Sequence, residues 1–242
     1  MCGRYALNIS GEDLAIEFAA GVKDAGYTPS NWNISPTTVI PFISSNDERG
    51  IERSIQTARW GLIPSWAKDA SRQANAINAR VESIAEKPTF KSAFKSRRCL
   101  VPVTGYYEWA TELGKYKPKQ PFYICHKDKQ TLAIAGLYET WINPATNSPI
   151  TTAAIITRQA FGIVAPIHHR MPVILPKELW SSWLSNKSLS PDEMNDYLKL
   201  INLNQPDEAL TFWPVSDEVN NARNIGAQLA EEIPLPEAGT LF

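Results

Sequence analysis

Apolar and polar positions alternate over short stretches along most of the chain, which is the pattern of β-strands with one buried face. These stretches are rich in β-branched and aromatic residues and are separated by turn-forming residues. They lie at residues 38–43, 51–63, 97–103, 104–109, 121–125, 132–141, 150–157, 173–175 and 212–215. Pro36 just before the first stretch and Pro41 within it predict an edge strand. The stretches at 121–125 and 132–141 predict a hairpin across a turn at 127–129.

Helical patterns are fewer. Ser10 followed by an acidic turn predicts a capped first helix that Gly21 ends, and further helical segments follow Glu82, Pro176 and Ser190. Many strands with a few separate helices predict an α+β fold, with a curved, mainly antiparallel, barrel-like sheet system and peripheral helices. Because no linker, repeat or low-complexity run interrupts the pattern, we expect one domain over residues 2–225 and a C-terminal tail at 226–242.

Composition narrows the class of protein. The chain has 242 residues, 43% of them hydrophobic, and a formal net charge of −1, so it can bury a core but is not basic overall. A nucleic-acid site would therefore be a local groove. The three cysteines, Cys2, Cys99 and Cys125, suggest neither a disulfide framework nor a metal site, and we expect no cofactor. Without a signal peptide or a long apolar run, we expect a cytoplasmic protein that does not contact a membrane.

Cys2 offers distinctive chemistry. Removal of Met1 would leave an α-amine and a thiol on adjacent carbon atoms, with ordinary pKa values of about 7.7 and about 8.5. Such a terminus can condense with an aldehyde through its amine and then close a five-membered thiazolidine ring through its sulfur. A cysteine after the initiator can also be incidental in a frayed terminus. Gly3, Arg4 and Tyr5 favour a terminus that is held in place.

Glu108 lies in the aromatic, β-prone run Gly105-Tyr106-Tyr107-Glu108-Trp109. Burial of an unpaired carboxylate is costly, so its pKa should be raised, as a general acid/base requires. An outward-facing surface glutamate is the alternative. Trp109 should face the other side of a regular strand.

Two further clusters carry candidate polar groups. Asn78 and Arg80 lie two apart, so in an extended segment they point the same way and suit a hydroxyl or phosphate group. His168 and His169 precede Arg170, and in an extended segment they would point to opposite faces, so at most one should line a given site. Trp66 is either core or a stacking platform, and Asn33 is either a turn residue or part of a site.

Six segments, taken together and in order, resemble the SRAP family of SOS-response-associated peptidases, or abasic-site processing proteins. They are Met1-Cys2-Gly3-Arg4-Tyr5, Asn33-Ile34-Ser35-Pro36-Thr37, Arg59-Trp60-Gly61-Leu62-Ile63-Pro64-Ser65-Trp66, Ile77-Asn78-Ala79-Arg80-Val81-Glu82, Gly105-Tyr106-Tyr107-Glu108-Trp109 and Ile167-His168-His169-Arg170-Met171-Pro172. The resemblance implies a monomer that senses abasic sites in single-stranded DNA and crosslinks to them through Cys2 as a thiazolidine. It also implies lyase activity in some contexts and self-processing that removes Met1.

The resemblance assigns roles to individual residues. Glu108 and His168 match the catalytic glutamate and histidine, and Asn78 matches the active-site asparagine. The DNA-binding positions that it implies are Arg4, Asn33, Trp66, Arg80, Trp109 and Arg170, with the arginines on phosphates and the tryptophans where bases stack. His169 stands where some relatives carry an acidic residue, and it would lower the pKa of His168 if both approached protonation.

Two other classes of function remain open on the residues alone. A cysteine-dependent amide or peptide hydrolase would use Cys2 as nucleophile, His168 as base and Asn78 to polarise a carbonyl, and it would turn over. A non-enzymatic single-strand DNA-binding module would not need Cys2.

Overall fold

The computed structural model describes residues 2–24, 30–70, 76–111, 113–114, 116–203 and 207–234. Its strands are β1 (Tyr5–Leu7), β2 (Ala20–Val22), β3 (Asn31–Ile34), β4 (Val39–Ser45), β5 (Arg53–Trp60), β6 (Asn78–Arg80), β7 (Arg98–Val103), β8 (Gly105–Ala110), β9 (Gln120–His126), β10 (Leu132–Ile142), β11 (Pro149–Gln159), β12 (Arg170–Pro172) and β13 (Leu210–Pro214). Its α-helices are α1 (Gly11–Phe18), α2 (Pro88–Ser96), α3 (Trp180–Leu184) and α4 (Pro191–Leu203).

The strands form a barrel and a second sheet. In the barrel, β11, β10, β7, β4 and β5 follow one another, and a parallel pairing of β5 with β11 closes the ring. The second sheet has the order β13-β9-β8-β1-β3 and is antiparallel throughout. The strand β6 pairs with β11 in parallel and so lies at the barrel seam. This arrangement confirms the predicted α+β fold with a mainly antiparallel, barrel-like sheet system.

The helices are short and lie outside the strands. Ser10 caps α1 as predicted, since its side chain accepts a hydrogen bond from the Asp13 amide. The helix ends earlier than predicted, because Ala19 and not Gly21 takes the left-handed conformation, with φ of 48°. Within the described ranges, no helix is long and apolar enough to cross a membrane.

Two sheet predictions were wrong. The strands β9 and β10 do not form a hairpin, because β9 pairs with β8 and β13 while β10 pairs with β7 and β11. The short connection between them passes from one sheet to the other. The proline-containing strand β4 is not an edge strand, since it lies between β5 and β7. It is paired to β5 along its whole length but to β7 only at Ile43, so Pro41 interrupts no ladder on that side.

The start of the predicted C-terminal tail packs against the second sheet. Leu229 is fully buried, and the Trp213 indole donates a hydrogen bond to the Ala230 carbonyl at 2.8 Å. The Ile233 amide continues this contact by donating to the Pro214 carbonyl at 3.0 Å. Leu229, Ala230 and Ile233 are apolar, which explains why this segment packs against the sheet. Residues 235–242 lie outside the described residues.

Arg98 is a buried arginine that joins helices to the barrel. Only 2% of it is exposed, and its guanidinium donates to the carbonyls of Trp183 at 2.9 Å and Phe94 at 3.0 Å, and to that of Ser185. It also donates to the Lys95 carbonyl at 2.9 Å. These carbonyls belong to the ends of α2 and α3, so one cation on β7 satisfies acceptors that helix termini leave open.

We expect Arg98→Ala to lower the free energy of unfolding by about 3 kcal/mol, because it leaves several buried carbonyl groups without a donor. Urea denaturation measures this loss. Arg49→Ala serves as the control, since that side chain is 73% exposed and should change stability by less than about 0.5 kcal/mol. Equal effects of the two substitutions would contradict the role of Arg98.

Candidate active site

The amino terminus lies where the two sheets meet. Tyr5 of β1 pairs with Ile34 of β3 and with Tyr106 of β8, which places the first residues in the second sheet. Cys2 precedes this strand and is fully buried. Its carbonyl accepts a hydrogen bond of 2.8 Å from the side-chain amide of Asn78, on the seam strand β6. The terminus is therefore held by both sheets.

Glu108 faces the same interior region as Cys2. It lies on β8, which is regular, so Tyr106 and Glu108 share one face while Tyr107 and Trp109 pack with the cluster on the other. Only 1% of Glu108 is exposed. Burial raises the pKa of its carboxyl group from an ordinary 4.5 to about 7. The group can therefore both give and take a proton near neutral pH, as the sequence predicts.

His168 approaches Glu108 from the segment before β12. Its Nε2 lies 4.0 Å from a carboxylate oxygen of Glu108. Its Nδ1 accepts a hydrogen bond of 2.9 Å from the Arg170 amide. The same Nδ1 lies 3.2 Å from the Arg170 carbonyl oxygen, which can only accept. The shorter contact is with the amide, which can only donate, so we assign the proton of the neutral ring to Nε2, the nitrogen that faces Glu108. Burial lowers the pKa of His168 from 6.5 to about 4, so the ring is neutral at pH 7.

The two adjacent histidines do not point to opposite faces. Their rings stack with centroids 4.3 Å apart. The expected alternation fails because β12 begins only at Arg170, and the histidines lie in an irregular segment before it. His169 is exposed, and its charge lowers the pKa of His168 as expected, but burial is the larger cause.

The Cys2 thiol differs from the sequence-based expectation of a partly ionised group. Burial raises its pKa, and the negative charge of Glu108 raises it further. The thiol is therefore protonated at neutral pH in the chain that retains Met1. Its reaction as a nucleophile requires a base at the moment of attack.

Arg170 is engaged by protein groups. Its guanidinium forms two hydrogen bonds with the Glu82 carboxylate, at 2.6 and 3.0 Å, and one with the Thr157 carbonyl at 2.7 Å. Only 8% of Arg170 is exposed, whereas the Glu82 side chain is 51% exposed. Arg170 thus holds the segment whose backbone amide orients His168, and a phosphate group would have to compete with Glu82 for it.

The side chains of Arg4 and Asn33 form hydrogen bonds with a segment near the C-terminal end of the chain, residues 219–224. Arg4 donates to the Asn33 side chain and to the Val219 carbonyl, each at 2.7 Å. The Asn33 amide group donates to the carbonyls of Val219, Asn221 and Asn224 at 3.2, 3.0 and 2.8 Å. Asn33 is 1% exposed, so the structure places it as a support for Arg4 and not on the surface.

The remaining candidates lie on the surface or near it. Trp109 is partly buried on the face of β8 opposite Glu108, and its indole donates to the Asn220 side chain at 2.8 Å. Arg80 is exposed on β6, two residues from Asn78, and the buried Ala79 between them confirms the extended alternation. Trp66 is 55% exposed in a turn after β5. Trp66 and Arg80 are therefore accessible to a ligand in this structure.

Three features of the site could not be predicted from the sequence. The support of Arg4 by residues 219–224 and the pairing of Glu82 with Arg170 join positions far apart in the chain. The sequence indicates Tyr5 only as one of the residues that hold the terminus in place, whereas in the structure its hydroxyl is buried without a hydrogen-bond partner among the described residues. Within those residues, no group of three or more histidine, cysteine or acidic side chains could hold a metal ion.

Comparison with known proteins gives a consistent result. The profile described as SOS response associated peptidase (SRAP) matches residues 1–222. The abasic site processing protein YoqW of Bacillus subtilis is 36% identical over 96% of this chain and 99% of its own length. The abasic site processing protein HMCES of Pongo abelii is 34% identical over 82% of this chain and 63% of its own length.

A solved structure has the same fold. A crystal structure of a protein from Bacteroides thetaiotaomicron matches with a TM-score of 0.81 and 25% sequence identity. The match covers 96% of this chain and 100% of that one. The shared fold therefore extends over nearly the whole chain.

The raised pKa of Glu108 predicts how stability changes with pH. The carboxyl is protonated in both folded and unfolded states below about pH 4.5, whereas between pH 4.5 and about 7 only the folded state retains the proton. Its contribution to stability is thus present at low pH and lost as pH rises through 7. We expect Glu108→Gln to stabilise the protein by up to about 3 kcal/mol at pH 8 and much less at pH 5.

Urea denaturation of both proteins at pH 5 and pH 8 measures this difference. Glu12→Gln, on the surface of α1, is the control and should show no such pH dependence. A Glu108→Gln effect that is the same at the two pH values would contradict the buried, protonated carboxyl.

Proposed function

The chain belongs to the SRAP family, as the resemblance of its six segments predicts, and from that premise we propose that it processes abasic sites in DNA. More specifically, it senses an abasic site in single-stranded DNA and forms a covalent crosslink through Cys2 after Met1 has been removed. The product is a thiazolidine that joins the amine and sulfur of Cys2 to C1 of the ring-opened deoxyribose. The protein acts as a cytoplasmic monomer that associates with the nucleoid when it binds DNA.

The observation that carries this proposal is the position of Cys2 beside Glu108. The Asn78 side chain holds the Cys2 carbonyl at 2.8 Å, and the nearby carboxyl group has a pKa of about 7. An aldehyde condensation needs a proton donor and a proton acceptor in turn, and such a carboxyl supplies both near neutral pH. Family membership supports the same substrate class, because the relatives are named abasic site processing proteins.

Imine formation comes first in the proposed mechanism. The Cys2 amine attacks C1 of the aldehyde, and the proton that nitrogen loses moves to the oxygen, which gives a carbinolamine. Glu108 in its acid form then protonates the new hydroxyl group. The C–O bond breaks, water leaves, and a protonated imine remains between Cys2 and the sugar, with Glu108 now in its carboxylate form.

Ring closure follows. The Cys2 sulfur attacks the carbon of the protonated imine, and the C=N electron pair moves to the nitrogen. Glu108 as carboxylate accepts the thiol proton, which restores its acid form. This order agrees with the raised pKa of the thiol, since no thiolate is required before the imine forms. One water molecule is released in the whole sequence, and closure is favoured because both reacting groups belong to one residue.

His168 acts through its Nε2 proton. In this tautomer the neutral ring can donate a hydrogen bond from Nε2 to the Glu108 carboxylate or to a sugar oxygen, while its Nδ1 faces the Arg170 backbone. Lyase activity belongs to the same proposal: before the ring closes, the imine acidifies the hydrogens on C2 of the sugar, and loss of one permits β-elimination of the 3′ phosphate. Self-processing of Met1 would use Glu108 and His168 as well.

The DNA strand is held by local contacts. Arg80 supplies an exposed cation beside Asn78, and Trp66 supplies an exposed ring for base stacking. Arg4, Arg170 and Trp109 contribute after exchange of their present protein partners, whereas Asn33 acts by positioning Arg4. Because the protein has a net charge of −1, binding depends on this local groove.

The hydrolase alternative is less well supported. Cysteine hydrolases use a thiol whose pKa is depressed by a protonated histidine. Here burial raises the pKa of Cys2 and lowers that of His168, which is the opposite arrangement. The Nε2 atom of His168 lies 4.0 Å from a carboxylate oxygen of Glu108, and the two groups suit proton transfer to an incoming group.

We expect purified protein that lacks Met1 to form an adduct, stable to heat and SDS, with single-stranded DNA that carries one abasic site. Denaturing gel electrophoresis and intact mass measure the adduct, whose mass equals protein plus DNA minus one water. Cys2→Ser and an uncleaved N-terminal extension should abolish the stable thiazolidine.

Cys125→Ser is the matched control, because that buried cysteine packs on the outer face of the second sheet and should leave the adduct unchanged. Absence of any adduct from protein verified by mass to lack Met1 would overturn the proposal. Turnover of amide substrates by the same protein would then favour the hydrolase.

Non-covalent binding should show the contribution of Arg80. With DNA that carries a tetrahydrofuran analogue, which has no aldehyde, Arg80→Ala should weaken binding and reduce the slope of log K against log salt by about 0.7. Fluorescence anisotropy at several salt concentrations measures both. Arg49 lies before the first residue of β5, at the end of the strand that is far from Trp60. Arg49→Ala should therefore leave both the affinity and the slope unchanged.

A further inference from the structure

Tyr5 lies inside the site that surrounds Cys2. Its ring is fully buried in the same apolar cluster as Cys2 and lies 5.3 Å from the ring of Trp60. The Trp60 indole in turn donates a hydrogen bond of 3.0 Å to the carbonyl of Ile77, the residue before Asn78. Tyr5, Trp60 and Asn78 thus form a connected wall next to the reactive residue.

Two polar atoms of this wall are buried without a hydrogen-bond partner among the described residues. They are the hydroxyl oxygen of Tyr5 and the Oδ1 oxygen of Asn78, whose Nδ2 is already used by the Cys2 carbonyl. A buried polar group without a partner costs free energy, and packing alone would be better served by phenylalanine at position 5. One unused group is a donor, the Tyr5 hydroxyl, and the other is an acceptor.

We propose that Tyr5 and Asn78 form a subsite for a hydroxyl group, and that the hydroxyl of the carbinolamine occupies it. This inference rests on the proposed crosslinking function. A hydroxyl group can accept the proton of Tyr5 and donate its own proton to Asn78 Oδ1, so it satisfies both unused atoms at once. The carbinolamine hydroxyl forms on the carbon bonded to the Cys2 nitrogen, so it arises beside the residue that this wall surrounds.

The hydrogen bond from Tyr5 assists a defined step. When Glu108 delivers its proton to the carbinolamine oxygen, the C–O bond breaks, its electron pair leaves with water, and the C=N bond forms. Tyr5 keeps its own proton throughout and orients the oxygen that departs. Burial raises the pKa of Tyr5, which keeps the hydroxyl in its donor form over the whole working range of pH. Tyr5 therefore touches a reacting atom during imine formation.

The test compares Tyr5→Phe with the unaltered protein, both verified by mass to lack Met1. We expect Tyr5→Phe to slow crosslinking to abasic single-stranded DNA by about tenfold or more at each pH between 6 and 8, the effect of losing one hydrogen bond to a reacting oxygen. Affinity for DNA with the tetrahydrofuran analogue should not change. The melting temperature should stay the same or rise, because an unsatisfied buried hydroxyl has been removed.

Two further variants isolate the step and the position. In a Cys2→Ala background the amine alone can form an imine, which borohydride traps, and Tyr5→Phe should lower the trapping rate by the same factor. Tyr123→Phe is the matched control, because its hydroxyl is buried on the other face of the second sheet and is hydrogen-bonded to Thr104. That substitution should lower the melting temperature and leave the crosslinking rate unchanged.

The outcomes separate this inference from the proposed function. Equal crosslinking and trapping rates for Tyr5→Phe and the unaltered protein would overturn the subsite while leaving the crosslink intact. A slower rate accompanied by weaker binding of the tetrahydrofuran analogue and a lower melting temperature would assign Tyr5 a purely structural role and would also overturn it. If the unaltered protein forms no Cys2-dependent adduct, the proposed function itself fails.

Discussion

The hydrogen bond between the Asn78 side chain and the Cys2 carbonyl is the contact on which the organisation of the site depends. β1 belongs to the second sheet, whereas β6 pairs with β11 of the barrel, so this bond joins the two sheets at the first residues of the chain. A terminus fixed only by β1 would leave Cys2 free to fray. Because the segment is fixed at both ends, the nitrogen and sulfur of Cys2 are held at one place next to Glu108, which is the preorganisation that the proposed two-step condensation needs.

Burial sets the chemical properties of the groups in this site. The same loss of water raises the pKa of Cys2 and Glu108 and lowers that of His168. At pH 7 the thiol and the imidazole are therefore neutral, and the Glu108 carboxyl is divided between its acid and carboxylate forms. A buried polar group without a hydrogen-bond partner lowers the free energy of unfolding. A buried group that is held in its neutral form at a pH where it would be charged in water lowers it as well. Contacts elsewhere in the barrel offset this loss of stability. For example, Arg98 donates hydrogen bonds to carbonyl groups at the ends of two helices. Stability and reactivity are thus provided by different parts of one fold.

Local sequence patterns predicted those features of the structure that depend on residues close together in the chain. Alternation identified the strands, Ser10 identified the start of α1, and a carboxyl group within an aromatic strand identified Glu108. Partners that are distant in the chain could not be predicted. The closure of the barrel by β5 and β11, the position of β4 inside it despite Pro41, and the separation of β9 from β10 all depend on tertiary pairing. In the site, residue types pointed to Cys2 and Glu108, but the burial of Asn33 and the pairing of Arg170 with Glu82 required coordinates.

The long-range contacts of Arg4 and Asn78 also determine when, during synthesis of the chain, the site around Cys2 can form. Arg4 and its acceptor at Val219 are 215 positions apart, and Asn78 is 76 positions from Cys2. During synthesis the amino terminus leaves the ribosome long before either His168 or Val219 has been made, so the enclosure around Cys2 is absent while most of the chain is being translated. The site around Cys2 can therefore close only after nearly the whole chain has been translated.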